Sequence, residues 1–321
     1  MELVNLLTSS VITPLQPLQH KLFKQHQIEV WIKRDDLNHP VIQGNKWHKL
    51  KHNLQYAKQH KKDTLITFGG AYSNHIATTA AAGKAFGLKT LGIIRGDELA
   101  NSRSNWSPTL REAEANGMRF RFISRSAYRQ KTSIDFEQPL QAEFPNSLIL
   151  PEGGTNQRAL LGFETVITQL QQQCSDWTHL YTAVGTGGTL AGLAKMSHDH
   201  LASQHDIIGI ATLKNAHYLK AQMTELVGFN DDPSNHPTRW QLLTQYHGGG
   251  YAKTTDACMT DQRWFENHFG ILLDPIYTNK MVHGFLEDVR KGNIPPHSKV
   301  ILYHSGGLQG RPAEGQPIEQ N

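Results

Sequence analysis

The stretch Gly44-Asn45-Lys46-Trp47-His48-Lys49 follows an expected strand, Ile28 to Lys33, and opens an expected helix running through Leu50, Leu54 and Tyr56. An acidic turn, Arg34-Asp35-Asp36, comes after the strand. A lysine at a loop-to-helix junction sits among backbone N–H groups with no intrahelical partner, at the positive end of the helix dipole. That setting disfavours the ammonium form and suits a neutral, nucleophilic amine. Taken alone, the stretch reads first as a solvated lysine in a Lys-rich first turn, because surface lysines are the usual case. Its neighbours in the chain change that reading.

Outward from this point, apolar runs alternate with amphipathic ones. Strands are expected at Leu65–Phe68, Thr90–Ile94, Phe120–Ile123, Leu148–Leu150, Leu180–Val184, Ile207–Ala211 and Val300–Tyr303. Helices are expected at Ile76–Phe86, at Thr109–Ala115 ending before Gly117, at Leu160–Gln172, and through Leu226. Strands separated by helices predict an α/β fold of βαβ units with open, twisted, mostly parallel sheets. Ligands on such sheets bind beyond the carboxyl ends of the strands, and the glycine-rich motifs all fall there.

Two of those motifs bear on chemistry. Gly69-Gly70-Ala71-Tyr72-Ser73-Asn74-His75 lies between a strand and a helix. Ser73 and Asn74 are good helix N-caps, so ordinary capping is one reading. The other is an anion site, in which free N–H groups and two polar side chains hold a carboxylate. The second motif is Gly185-Thr186-Gly187-Gly188-Thr189, between a strand and a helix. It lacks the register of a dinucleotide fingerprint and the Gly-Lys-Ser/Thr of a P-loop. Its glycines and threonines suit a phosphate cradle of N–H groups and hydroxyls, or else a plain glycine turn.

The chain has 321 residues, a net charge of +4 and a mean hydropathy of -0.48. This is enough for two domains or one large α/β domain. No apolar run approaches the roughly 20 residues of a membrane helix, and Met1 to Asn5 has no signal-peptide pattern. A membrane partner is therefore not expected, and the cytoplasm is the expected location. The two cysteines, Cys174 and Cys258, read as free thiols rather than a disulfide. The 18 histidines show no metal-ligand spacing. No stripe of basic residues interleaved with aromatics suggests nucleic acid. The tail Gly310–Asn321, rich in Pro, Gln and Glu, is expected to be loosely packed.

As a set, these motifs resemble the pyridoxal-phosphate enzymes of fold type II, the tryptophan synthase β-like group. Within that group the chain resembles the family of D-cysteine desulfhydrase and 1-aminocyclopropane-1-carboxylate (ACC) deaminase. The likeness rests on Lys33-Arg34-Asp35-Asp36, Gly44-Asn45-Lys46, residues 69–75, Gly185–Thr189, Asp274-Pro275-Ile276-Tyr277-Thr278 and His304-Ser305-Gly306-Gly307. They span about 33 to 310 in the family's order.

The resemblance implies a role for each position. Lys46 would form the Schiff base with pyridoxal 5'-phosphate and shuttle protons. Lys49 and Gly185, Thr186, Gly187, Gly188 and Thr189 would hold the phosphate. Asn74 would bond the 3-hydroxyl of the cofactor. Ser73, with N–H groups up to His75, would hold the substrate carboxylate, and Tyr251 and Tyr277 would line the pocket as catalytic hydroxyls. In the deaminases a glutamate faces the pyridine nitrogen where this chain has Thr278, and leucine stands where it has Ser305. A hydroxyl cannot stabilise a pyridinium as a carboxylate does, so the ring is a weaker electron sink, suited to β-elimination. The implied activity is therefore desulfhydration of D-cysteine to pyruvate, ammonia and sulfide, with ACC deamination to 2-oxobutanoate as the alternative. The implied layout is a large domain, 1–49 with 156–321, and a small inserted domain, 50–155, with the cofactor between them. The family is commonly homodimeric.

Overall fold

The computed structural model describes residues 11–39, 42–201, 204–229, 238–308 and 311. The N-terminal residues 1–5 and, apart from Arg311, the expected loose tail lie outside the described residues. The strands are β1 (Leu15–Pro17), β2 (Glu29–Lys33), β3 (Thr64–Gly69), β4 (Lys89–Arg95), β5 (Arg119–Ile123), β6 (Ser147–Leu150), β7 (His179–Val184), β8 (His205–Ala211), β9 (Thr238–Leu243) and β10 (Lys299–Tyr303). The longer helices are α1 (Asn45–Gln59), α2 (Asn74–Phe86), α3 (Pro108–Ala115), α4 (Ile134–Glu143), α5 (Glu164–Gln173), α6 (Gly188–His200), α7 (Tyr218–Val227), α8 (Asp256–Phe269) and α9 (Thr278–Arg290).

The chain divides into two compact units. One contains Leu50–Asn156, and the other Val11–Lys49 with Gln157 onward. The first is built on a four-stranded parallel sheet of order β5-β4-β3-β6. Strand β3 is buried along its whole length, as a central strand covered on both faces must be. Ile66, Phe68, Leu91 and Ile93 pack with Tyr128 and Leu140, while Ile94 packs with Ile76, Ala80 and Leu110.

The second unit carries a six-stranded sheet of order β1-β2-β10-β7-β8-β9. Its strands run parallel except β1, which pairs antiparallel at the edge. Alternation along each strand feeds two cores. Ile207 and Ile301 belong to a core with Leu170, Leu190 and Trp240. Their neighbours Ile208, Val300 and Leu302 belong to another, with Phe265, Phe285 and Leu286. Successive side chains on a strand point to opposite faces, so one run of apolar residues serves both layers.

Several elements differ from expectation. The helix expected over Leu160–Gln172 is broken. A short turn, Gln157–Leu161, precedes α5, and Gly162 sits at the break. A Cβ at Gly162 would lie 1.9 Å from the His48 carbonyl oxygen, so close backbone packing interrupts the helix. Helix α2 begins at Asn74 rather than Ile76. Strands β1 and β9 and helices α4 and α9 were not anticipated. Cys174 and Cys258 are both free thiols.

Candidate active site

In the larger unit, the turn before Lys46 is held from several directions. The Gly44 N–H donates to the Asp35 carbonyl at 3.0 Å and to the Asn38 side-chain oxygen at 2.9 Å. Asn38 Nδ2 returns a bond to the Gly44 carbonyl at 3.0 Å. The Asn45 N–H donates to the Ser305 carbonyl at 3.2 Å. Gly44 has φ +66, and a Cβ there would lie 1.9 Å from that same Ser305 oxygen. Only glycine allows both the left-handed turn and the close approach.

Lys46 is therefore the second residue of α1, on a fixed backbone. Burial pushes its amine down to about 8, and the nearby Asp274 carboxyl only partly opposes this. Lys49, one turn on, is buried, and its amine is held well below the usual lysine range by burial and then by Lys46. The first turn of α1 thus carries the amines of half-buried Lys46 and buried Lys49.

The glycine-threonine loop adjoins this turn. Asn45 Nδ2 donates to Thr189 Oγ1 at 2.7 Å, linking the start of α1 to the start of α6. Gly187 is the N-cap residue of α6, at φ +82, and offers no side-chain cap to the N–H groups of the first turn. Such groups form a ready anion site. A Cβ at Gly185 would lie 3.2 Å from Tyr277 Cε1, so Tyr277 lies against this loop. The Tyr251 and Tyr277 rings meet edge-on with centroids 6.4 Å apart.

The turn that presents Tyr277 is organised by Asp274. Asp274 Oδ1 accepts the N–H groups of Ile276 at 3.0 Å and Tyr277 at 2.5 Å. Thr278 is fully buried. Its Oγ1 accepts the Asp274 N–H at 2.7 Å and lies 3.3 Å from the Asp274 carbonyl oxygen. Burial pushes the Asp274 carboxyl up to about 7 against the pull of these N–H groups. Its second oxygen, Oδ2, and both polar atoms of buried Asn279 have no hydrogen-bond partner among the described residues.

Behind α1 lies a second buried network. Asp35 Oδ2 pairs with His48 Nε2 and with the Tyr303 hydroxyl, both at 2.7 Å, and Oδ1 accepts from Thr13 Oγ1 at 2.6 Å. Burial raises the Asp35 carboxyl, but His48 and these hydrogen bonds outweigh it and hold the group below its usual range. The network anchors α1 through His48, two residues from Lys46. His304 Nε2 donates to the Leu272 carbonyl at 2.8 Å, while Nδ1 accepts the Gly306 N–H at 3.2 Å, which sets the tautomer. Ser305, between them in sequence, is buried and gives its carbonyl to Asn45.

The other unit carries Ser73, Asn74 and His75. Ser73 occupies the N-cap position of α2 but makes no side-chain capping bond, so ordinary capping does not account for it. Asn74 and His75 are buried in the first turn. Thr67 Oγ1 donates to the Leu150 carbonyl at 3.1 Å, so at 2.8 Å it accepts a hydrogen bond from His75 Nε2–H.

The larger unit thus brings together Lys46, Lys49, Gly185–Thr189, Tyr251, Tyr277, Thr278 and Ser305. Sequence reasoning gave no role to Asn45, His48, Asp274 or Lys280. The acidic turn at residues 34–36 and the Asp-Pro-Ile-Tyr-Thr run were the available signals. These residues fit a phosphorylated aldehyde. They offer an amine of lowered pKa, an uncapped helix start for the phosphate, and buried polar atoms still lacking a partner.

The chain is similar to several known proteins. A Thermotoga maritima protein bearing the provisional name 1-aminocyclopropane-1-carboxylate deaminase is 27% identical over 314 residues, covering 95% of this chain and 97% of its own. The D-cysteine desulfhydrase of Klebsiella pneumoniae is 26% identical over 306 residues, covering 92% and 91%. A crystal structure described as that of the ACC deaminase homologue matches with a TM-score of 0.77 and 26% identity, over 96% of this chain and 95% of that one. The fold is that of the fold type II enzymes. Residues 8–306 match the family described as pyridoxal-phosphate dependent enzyme, and the chain belongs to that family.

Proposed function

We propose that the protein is a lyase that converts D-cysteine to pyruvate, ammonia and sulfide. The observation that carries this reading is Thr278, a neutral, buried side chain whose hydroxyl is engaged with the Asp274 backbone. The bound cofactor supplies an imine linkage to the substrate amine and an electron sink for the α-carbon. Without a carboxylate partner that sink is modest, which favours a reaction whose leaving group carries the electron pair away.

The chain's own residues supply the rest. Lys46, with its amine near 8, is neutral often enough near physiological pH to attack a carbonyl carbon and then to take the α-proton. The Cα–H electrons form the Cα–Cβ double bond, and the Cβ–S bond breaks, its pair leaving on sulfur. The hydroxyls of Tyr251 and Tyr277 are assigned to proton transfer, including protonation of the departing thiolate. The released enamine takes up water to give pyruvate and ammonia. Lys49 and the N–H groups and hydroxyls of Gly185–Thr189 are assigned to the phosphate. Asn74 is assigned to the cofactor hydroxyl, and Ser73 with the N–H groups at the start of α2 to the substrate carboxylate. Ser305 is assigned to the substrate side of the ring.

The second reading, ACC deamination, is supported by the name of the Thermotoga maritima relative. The test is kcat/KM for D-cysteine, read as sulfide and pyruvate, against ACC, read as 2-oxobutanoate. D-cysteine should be the better substrate, and a Thr278→Glu, Ser305→Leu double variant should lose elimination. Wild-type turnover of ACC that equals or exceeds that of D-cysteine would reverse the assignment.

A further inference from the structure

We propose that Lys280 is a positioning residue that sets Tyr251 and Tyr277 relative to each other, an inference that rests on the reading of those tyrosines as site residues. Lys280 lies in the first turn of α9 and is fully buried. Its Nζ donates to the Gly250 carbonyl at 2.6 Å and to the Thr212 carbonyl at 3.1 Å. Thr212 directly follows β8 and is itself fixed, its N–H on the Val184 carbonyl at 2.9 Å. Gly250 directly precedes Tyr251.

The loop that Lys280 holds is not made rigid by regular structure. Gly248, Gly249 and Gly250 all have positive φ, +61, +96 and +119. A run of glycines in that region has many accessible conformations, so its path must be set by outside contacts. The ammonium of Lys280 ties the loop to the end of β8.

The Lys280 backbone N–H also donates to the Tyr277 carbonyl at 3.1 Å, and the charges of Cys258 and Asp274 oppose the burial that lowers its amine to about 8. Asp274 in turn seats the Tyr277 N–H on Oδ1. One residue thus bonds the backbone before Tyr251 through its side chain and the backbone of Tyr277 through its N–H. A buried lysine head group costs free energy unless such partners compensate it. An apolar side chain of the same length would fill the space without holding the loop before Tyr251.

The test compares Lys280→Met, Tyr251→Phe and the double variant, as cofactor-loaded enzyme on whichever of D-cysteine or ACC the parent turns over. Amide hydrogen exchange of residues 248–253 is measured alongside. Lys280→Met should lower kcat by about tenfold or more with a smaller change in KM, and should speed exchange by a similar factor. The double variant should lose less than the product of the two single losses, because Lys280 acts in part through Tyr251. Losses that multiply, or a kcat within about twofold of the parent, would overturn the inference. If Tyr251→Phe alone keeps full activity, the reading of Tyr251 fails instead, and Lys280 is then judged on exchange, where unchanged protection overturns it. Lys280→Gln, which keeps a donor but no charge, replaces the methionine variant if that one does not fold.

Discussion

Replacing Gly44 with alanine tests the geometry on which Lys46 depends. The residue has φ +66, and an added Cβ would lie 1.9 Å from the Ser305 carbonyl oxygen, 2.3 Å from its carbon and 2.7 Å from the Gly306 nitrogen. All three are backbone atoms, so no side chain can swing away. The left-handed conformation alone costs an L-residue about 1–2 kcal/mol. Overpacking adds about 1–3 kcal/mol, and displacement of the Asn45–Ser305 hydrogen bond about 1 kcal/mol more. The sum is on the order of 3–6 kcal/mol. Gly270 is the matched control in the same unit, at φ +65 with nothing within 4 Å of an added Cβ. Gly270→Ala should cost only the conformational part, about 1–2 kcal/mol. Urea unfolding followed by circular dichroism measures both. Equal costs for the two variants would refute the close packing of the Gly44 turn on Ser305.

Three further outcomes follow from other parts of the site and its surroundings. Gly187→Val should weaken cofactor binding beyond its folding cost, because a side chain there blocks close approach of the backbone N–H groups to an anion, whereas the strain at φ +82 and the 3.0 Å approach to Met223 Cγ act on folding. Unchanged cofactor affinity in a binding titration would reduce the loop to a turn. In cofactor-free protein, Lys46 should react with an amine-directed reagent with an apparent pKa near 8, its reactive neutral form growing as pH rises through that value. A pKa near that of an ordinary lysine would mean that the amine is solvated. His283, paired with Asp261 at 2.7 Å, is raised from 6.5 to about 9, chiefly by that hydrogen bond. Because the folded value is the higher one, its stabilisation is fully present below pH 6.5 and is lost as pH rises through 9, up to about 3 kcal/mol in all. Asp261→Asn should flatten the urea midpoint over that window. A midpoint that falls as steeply as in the parent would contradict this.

The strands with unbroken apolar runs were legible because burial on both faces demands them. Ile207–Ala211 and Val300–Tyr303 each lie within a strand of the structure. Helix α9 was missed although Met281, Val282, Phe285, Leu286 and Val289 form a buried stripe. Polar Asn279 and Lys280 are buried beside that stripe and blur its period. Strand β9 has buried Thr238 and Trp240 but also Arg239 and Gln241, too short a pattern to mark. Lys46, the glycine loop and the tyrosines were singled out because they match the motifs of a known family in order. Lys280 and His48 were not, since a buried polar side chain and a surface one look alike in sequence. Only their partners, the Gly250 carbonyl and Asp35, distinguish them.

The most direct test of the central claim is to reduce the cofactor-loaded protein with borohydride, digest it and locate the cofactor-bearing peptide by mass spectrometry. Lys46, with its amine lowered to about 8 beside the Gly185–Thr189 loop, should carry the modification. The buried lysines Lys33, Lys49 and Lys280 should not. Attachment at any lysine other than Lys46, or none, would contradict the account.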